Sequence, residues 1–263
     1  PKTIEVLPHD PEWIKIYERE REKISTALKD NLTEIHHVGS TCIEGLVAKP
    51  KIDISAYVEN PYTIVEPLKT IGYEFRGEWN IPLKAGFSNR ESFSINLHIH
   101  PKGHGALQMH VAFRDYLRAH PDARNTYGKL KLQLLENKGA HAKQRQMFSG
   151  YALQKNEFIK EVYQTIGIKA FWASYAIHDV EYTLLKQLGL HMGPDHGFII
   201  FYEGPKPMAL VQYFNGTLET KEPHFLEKTP GLREKMNLFI EQWRTYQAFL
   251  KQYNLEVGQD YRF

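Results

Sequence analysis

One cysteine, Cys42, stands among 263 residues, so the chain can form no internal disulfide and no cysteine-built zinc cage. It has no apolar run near the ~20 residues that a membrane span needs, and its first residues lack the order of a signal peptide. A cytoplasmic protein with no membrane partner is therefore expected. Charge imbalance is also scarce: 33 Lys and Arg against 31 Asp and Glu leave a net +2. That is too little to imply electrostatic attachment to nucleic acid, and no nucleic-acid partner is expected. What remains is the composition of an ordinary globular protein, 42% hydrophobic and 24% charged. The length suits two units better than one.

Residues 34–58 carry most of the chemical signal. Ile35 and Val38 close a short strand, and Gly39, Ser40 and Thr41 break its apolar pattern with a flexible residue and two hydroxyls. Such a turn can aim backbone N–H groups and hydroxyls at one anion, although a Gly-Ser pair by itself is an ordinary turn. After Lys49 and Pro50, the residues Lys51, Asp53, Ser55 and Tyr57 alternate with Ile52, Ile54, Ala56 and Val58. The alternation predicts a strand with Asp53 on its polar face. An anion-holding turn beside a strand-borne carboxylate is the arrangement that metal-assisted phosphoryl chemistry needs. The turn fixes phosphate oxygens, and the carboxylate holds a divalent cation.

The string His37-Val-Gly-Ser-Thr41, then Gly45-Leu46, Ala48-Lys49-Pro50 and Asp53, closely resembles the GrpB family, a branch of the nucleotidyltransferase superfamily that shares the polymerase-beta palm. Val6, Pro8, Asp10, Pro11 and Trp13 resemble the opening of that family. Phe113-Arg-Asp-Tyr-Leu-Arg118 with His120-Pro121 resembles its later signature. The resemblance covers about residues 1–167 and implies an α+β fold, a nucleotidyltransferase-like mixed sheet flanked by helices. It also implies a nucleoside triphosphate as small-molecule partner and a divalent cation as cofactor. Cys42 and Glu44 depart from the pattern, standing where the family has a small residue and a proline.

A second strand is predicted at residues 93–100, where Asn96, His98 and His100 share one face. The palm fold places a further acid on this strand, and none is present; Ser55 likewise stands where a second carboxylate is expected. Asp53 with His98 and His100 makes a ligand set suited to Mn²⁺, Zn²⁺ or Fe²⁺, whereas Mg²⁺ prefers oxygen. The alternatives are that the two histidines contact phosphate or are polar residues on a half-exposed strand. Arg114 and Arg118 lie four apart on one helix face and suit a phosphate chain, or else form a solvated face. Lys49 and Lys155 are further cationic candidates.

Around these motifs, helices are predicted from Pro11 to Leu28, from Pro61 to Ile71, through Phe113–Arg118, from Pro121 to Gly139 and from Lys143 to Ile166. Residues 77–90, with two Gly and one Pro, are expected to form a loop that either lies over the substrate or connects passively. Gly167 is the expected boundary between a domain at 1–167 and a smaller C-terminal α+β unit at 168–263. That unit shows a helix at 176–188, a hairpin of strands at 197–202 and 208–214, and a helix from Leu232 to Tyr253. It lacks a pyrophosphate loop for acetyl-CoA, and His191, Asp195 and His196 are better explained as a polar turn than as a metal site.

The resulting expectation is a protein that binds a nucleoside triphosphate with Mg²⁺ or Mn²⁺, or with Zn²⁺ or Fe²⁺ if histidines ligate, and transfers a nucleotidyl group. Asp53 is the catalytic candidate and metal ligand with His98 and His100; Gly39, Ser40, Thr41, Lys49, Arg114 and Arg118 are the phosphate candidates. A catalytically silent nucleotide-binding module and a protein-interaction module built on the C-terminal unit are the alternatives. Oligomeric state and protein partners stay open.

Overall fold

The computed structural model describes residues 4–79, 83–137, 143–144, 148–149, 151, 155–167, 170–173, 196–203, 206–214, 217–220 and 232–255. Its first half is built on five strands: β1 (Leu32–Val38), β2 (Ile52–Val58), β3 (Glu74–Gly77), β4 (Ala85–Asn89) and β5 (Ile95–Pro101). Their order is β1-β2-β5-β4-β3, with β2 and β5 parallel and the other neighbours antiparallel. The sheet is therefore mixed, and the fold is α+β. The parallel pair needs a crossover, which the short helix α2 (Val65–Lys69) and the β3–β4 hairpin provide.

Alternation along β2 and β5 sorts the two faces as the sequence predicts. Ile52, Ile54, Ala56 and Val58 join Ile95, Leu97 and Ile99 in one core with Ala85 and Phe87. Against that face packs α1 (Glu12–Leu28), whose N-terminus is capped by the Asp10 carboxylate accepting the Glu12 N–H at 2.9 Å. Trp13, Tyr17, Ile24 and Leu28 face inward. Ile14, apolar and on the same helix, is 45% exposed. Glu20, also on the inner face, is stabilised by the Tyr73 hydroxyl at 2.7 Å and by Lys23 at 2.8 Å.

The opposite, polar face is covered by helix α3 (Gly105–Ala119), on which helices α4 (Pro121–Glu136) and α5 (Asn156–Ile166) pack in turn. Two expectations need correction. The stretch 77–90 is not one loop, because residues 85–89 form β4 between β3 and β5. The tertiary pairing of Ala85, Phe87 and their neighbours overrides their weak local signal. Of the helix expected from Lys143 to Ile166, Asn156–Ile166 is helical, while Lys143–Gln144 and Phe148–Ser149 pair instead as two short antiparallel strands, β6 and β7.

Beyond Gly167, which closes α5 in the left-handed conformation at φ +88°, strands β8 (Ala170–Ala173), β9 (His196–Glu203), β10 (Lys206–Phe214) and β11 (Thr217–Thr220) form an antiparallel sheet in the order β11-β10-β9-β8. The β9–β10 hairpin matches the predicted strand pair. The helix expected at 176–188 and the residues His191 and Asp195 lie outside the described residues, whereas His196 opens β9. The last helix, α6 (Leu232–Lys251), returns to the first sheet. Its residues Tyr246, Phe249 and Leu250 belong to the same core as β2 and β5, and Phe249 meets Tyr62 edge-on at 5.1 Å.

Removing that anchor opens a cavity in the shared core. Phe249→Ala is expected to destabilise the chain by about 3 to 5 kcal/mol, read as a lower urea midpoint with unchanged slope.

Candidate functional site

The site begins where β1 ends. Gly39 turns the chain at φ +74°, a conformation that L side chains rarely adopt. A Cβ there would stand 3.0 Å from Asp53 Oδ2, so glycine also permits close approach to β2. Ser40–Cys42 then form one short 3₁₀ turn. The turn is braced from behind by α3: Arg114 donates to the His37 carbonyl at 3.2 Å, and Arg118 donates to the Cys42 carbonyl at 3.2 and 2.6 Å. Arg114 also pairs with Asp115 at 2.8 Å. The i, i+4 spacing of these arginines does place both on one face, and that face meets the turn's backbone.

The hydroxyls divide. Thr41 is buried, donates to the Lys51 carbonyl at 3.2 Å and contacts His37 Nε2 at 3.0 Å. With the hydroxyl proton on Lys51, the imidazole is the donor to Thr41. Ser40 Oγ instead accepts from the Lys131 ammonium, which also donates to the Val47 carbonyl at 2.9 Å. The Cys42 thiol donates to the Gly39 carbonyl, and burial pushes it up to about 12, so it is an inert structural group.

Lys131 is one of several gathered lysines. Its ammonium lies 4.5 Å from the Tyr127 ring, while Lys49 and Lys155 lie 4.5 and 4.7 Å from the single ring of Tyr151. Burial, then Lys155 and Lys51, lowers Lys49 to about 8. Burial lowers Lys155 to about 8, with Lys51 adding to the shift and Asp53 opposing it. Burial, then Lys155 and Lys49, drives Lys131 well below the usual lysine value. Of these three, Lys49 and Lys155 are candidates from the sequence, and Lys131 is the one it misses. Lys131 sits within α4, where a lysine ordinarily faces water, and the available signal was its place four residues after Tyr127.

On the sheet, Asp53 is in register with Asn96, Ser55 with His98, and Tyr57 with His100. Asp53 Oδ1 receives the Asn96 amide at 3.1 Å and lies 3.2 Å from His98 Nε2. Arg90 donates to the Asn96 side-chain oxygen Oδ1 at 2.6 Å, which orients the amide so that its nitrogen faces Asp53. Desolvation pushes the Asp53 carboxyl up, but His98, Lys51 and Asn96 outweigh it and hold the group well below the usual carboxylate range. The carboxylate stays 31% exposed and ionised. Ser55 is fully buried and lies 3.1 Å from His110 Nδ1, a partner that sequence reasoning missed.

The structure thus brings Gly39, Ser40, Asp53 and His98 together and leaves His100 apart. His100 is fully buried and stacks on His104 at 4.7 Å, two residues beyond His98 along β5. Among the described residues no group of three or more His, Cys, Asp or Glu is placed to hold a metal ion. Nor, among them, is any helix long and apolar enough to cross a membrane.

These features define a class: an α+β protein whose mixed sheet carries one carboxylate against a glycine turn and a lysine cluster. The family model described as GrpB protein matches residues 3–165, and the chain belongs to that family. Similar relatives include the UPF0157 protein YqkA of Bacillus subtilis, 30% identical over 60% of this chain and 46% of that one. The UPF0157 protein BH1888 of Halalkalibacterium halodurans is 31% identical over 61% of this chain and 80% of its own length. The chain thus spans about half of YqkA and most of BH1888. The crystal structure of conserved protein GrpB from Enterococcus faecalis superposes with TM-score 0.53 at 30% identity, covering 61% of this chain and 96% of that one.

Buried neutral histidines make the fold acid-sensitive. Desolvation holds His37 at about 4 and His110 at about 3, both below the ordinary 6.5. Below pH 6.5 the unfolded chain binds protons that the folded chain refuses, so stability falls as pH drops from about 6.5 toward 3, by at most about 1.4 kcal/mol per group per pH unit. Urea unfolding at pH 7, 5 and 4 is expected to show a steadily falling midpoint.

Proposed function

We propose that the polar face of the first sheet binds a nucleoside triphosphate together with a divalent cation, as a nucleotidyltransferase-like site. The observation that supports this best is the Gly39–Ser40 turn packed on the Asp53 carboxylate and surrounded by Lys49, Lys131 and Lys155. Three ammoniums crowded on two aromatic rings repel one another, and a chain of phosphates relieves that repulsion. Ser40 and the lysines would take phosphate oxygens, and the Gly39 turn lets the ligand approach the backbone. Arg114 and Arg118 contribute by holding the turn in shape.

A single half-buried carboxylate fits Mg²⁺ or Mn²⁺, which draw most of their ligands from water and phosphate. The residues present suit Zn²⁺ or Fe²⁺ less well, because His100 is stacked away from Asp53. When bound at Asp53, the cation supplies neutralisation of charge on the phosphates. His98 and Asn96 hold the carboxylate in its ionised form and orientation.

A second reading, a catalytically silent nucleotide-binding module, has its own support. Asn96 occupies the strand position where an acid would bind a second cation, and Ser55 is buried against His110. Turnover separates the two readings: labelled nucleotide consumed by the purified chain, and spared by Asp53→Asn, favours transfer.

Calorimetry tests the binding itself. Asp53→Ala is expected to abolish Mg²⁺- or Mn²⁺-dependent nucleotide affinity while circular dichroism stays unchanged; equal affinity in the variant rejects the site. Lys131→Met is expected to weaken nucleotide binding by roughly ten- to a hundred-fold, the scale of one lost charge-assisted hydrogen bond. Since Lys49 and Lys155 titrate near 8, affinity is expected to hold below that pH and to decline above it as the ammoniums lose their protons. An affinity that is flat between pH 7 and 9.5 contradicts the role of these lysines.

A further inference from the structure

The family match ends at residue 165, yet α6 bonds the segment that borders the candidate site. Tyr246, fully buried in the core, donates its hydroxyl to the Lys84 carbonyl at 2.9 Å. Lys84 immediately precedes β4, whose pairing Ala85↔Ile99 and Gly86↔His98 fixes the directions of its side chains. Ala85 points into the core beside Tyr246, so Lys84 and Gly86 point to the polar face. Tyr246 therefore grips from one side of the sheet a backbone whose side chains act on the other.

What Lys84 carries there is tightly built. Its ammonium lies 5.1 Å from the Trp79 ring, and Trp79 in turn meets His98 edge-on at 5.3 Å. Trp79 packs so closely on Gly86 that a Cβ at that glycine would come within 2.6 Å of its ring carbons. Two non-glycine residues of this segment, Trp79 and Leu83, hold positive φ angles of 46° and 66°. Such backbone persists only where its surroundings over-determine it. Glu78 supplies one restraint by accepting the Leu83 N–H at 2.9 Å. The Tyr246 hydroxyl supplies another at the next residue.

We infer that Tyr246 is a positioning residue of the candidate site: by holding the Lys84 carbonyl it seats Trp79 and Lys84 over His98, the neighbour of Asp53. A helix outside the family-matched region thereby shapes the polar face. The inference rests on placing the site at Asp53 and His98, as proposed above, but its test needs no nucleotide. Failure of nucleotide binding and failure of Tyr246 to position the face are thus separate results.

The experiment uses the full chain with Tyr246→Phe, which keeps the ring in the core and removes the hydroxyl. Nuclear magnetic resonance is expected to show the Trp79 indole and His98 imidazole signals displaced or broadened, while the Trp13 indole and His37 imidazole stay in place. Amides of residues 83–86 are expected to exchange about ten-fold faster, the scale of one lost buried hydrogen bond, with β2 unchanged. Unmoved Trp79 and His98 signals overturn the inference, as does faster exchange spread equally over β2. Native-state hydrogen exchange on the unaltered chain gives a second measurement. Residues 83–86 are expected to open together with residues 244–250 as one unit, and opening of the two at different free energies overturns the coupling.

Discussion

A carboxylate set against crowded lysines governs how the first half of this chain is arranged. Asp53 is desolvated on one side by the sheet and yet stays ionised, because His98, Lys51 and Asn96 stabilise its charged form. The lysines around it are lowered by burial and by one another, and Asp53 is the charge that raises each of Lys49, Lys131 and Lys155. Neither side of this pairing is satisfied alone. Repulsion among these partly desolvated lysines is felt more strongly than in water, and one carboxylate opposes it only in part.

Holding the charges at this distance requires a rigid frame. The parallel pairing of β2 with β5 puts Asp53, Asn96 and His98 in register without any help from loops. The turn at Gly39 is shaped by α3 through Arg114 and Arg118, and α4 reaches the same turn through Lys131. Two consecutive helices thus fasten the stretch His37–Cys42, α3 through the His37 and Cys42 carbonyls and α4 through the Ser40 hydroxyl. A turn so held is fixed in shape in advance, so little free energy goes into ordering it.

Much of the frame was legible in the chain itself. The alternation in β2 and β5 told both the strands and their polar faces, because a period of two leaves no ambiguity about which side chains share a side. The Gly39–Asp53 neighbourhood followed from the motif, and the positive φ of Gly39 gives the physical reason for that glycine. The strand β4 was hidden, since Ala85, Gly86, Ser88 and Asn89 carry weak strand preference and are recruited by pairing on both sides. The partners of Arg114 and Arg118 were hidden for another reason. Helical spacing says that two residues share a face, and it is silent on whether that face meets solvent, ligand or a loop some seventy residues away in sequence. His100 shows the same limit on a strand: alternation set it beside His98, but His104 claims its ring.

The C-terminal helix shows why site and fold cannot be partitioned at residue 165. Tyr246 lies in the apolar core, where a phenylalanine would serve packing equally well; its hydroxyl needs a partner there, and the Lys84 carbonyl is the one it takes. That carbonyl sits at the edge of β4, beside the segment in which Trp79 and Leu83 adopt backbone angles that cost free energy. A strained segment next to a cluster of His98, His100 and His110 is stable only if several contacts constrain it at once. Glu78 restrains it from within and Tyr246 from without, so the polar face keeps its shape through a residue whose own surroundings are wholly on the opposite side of the sheet.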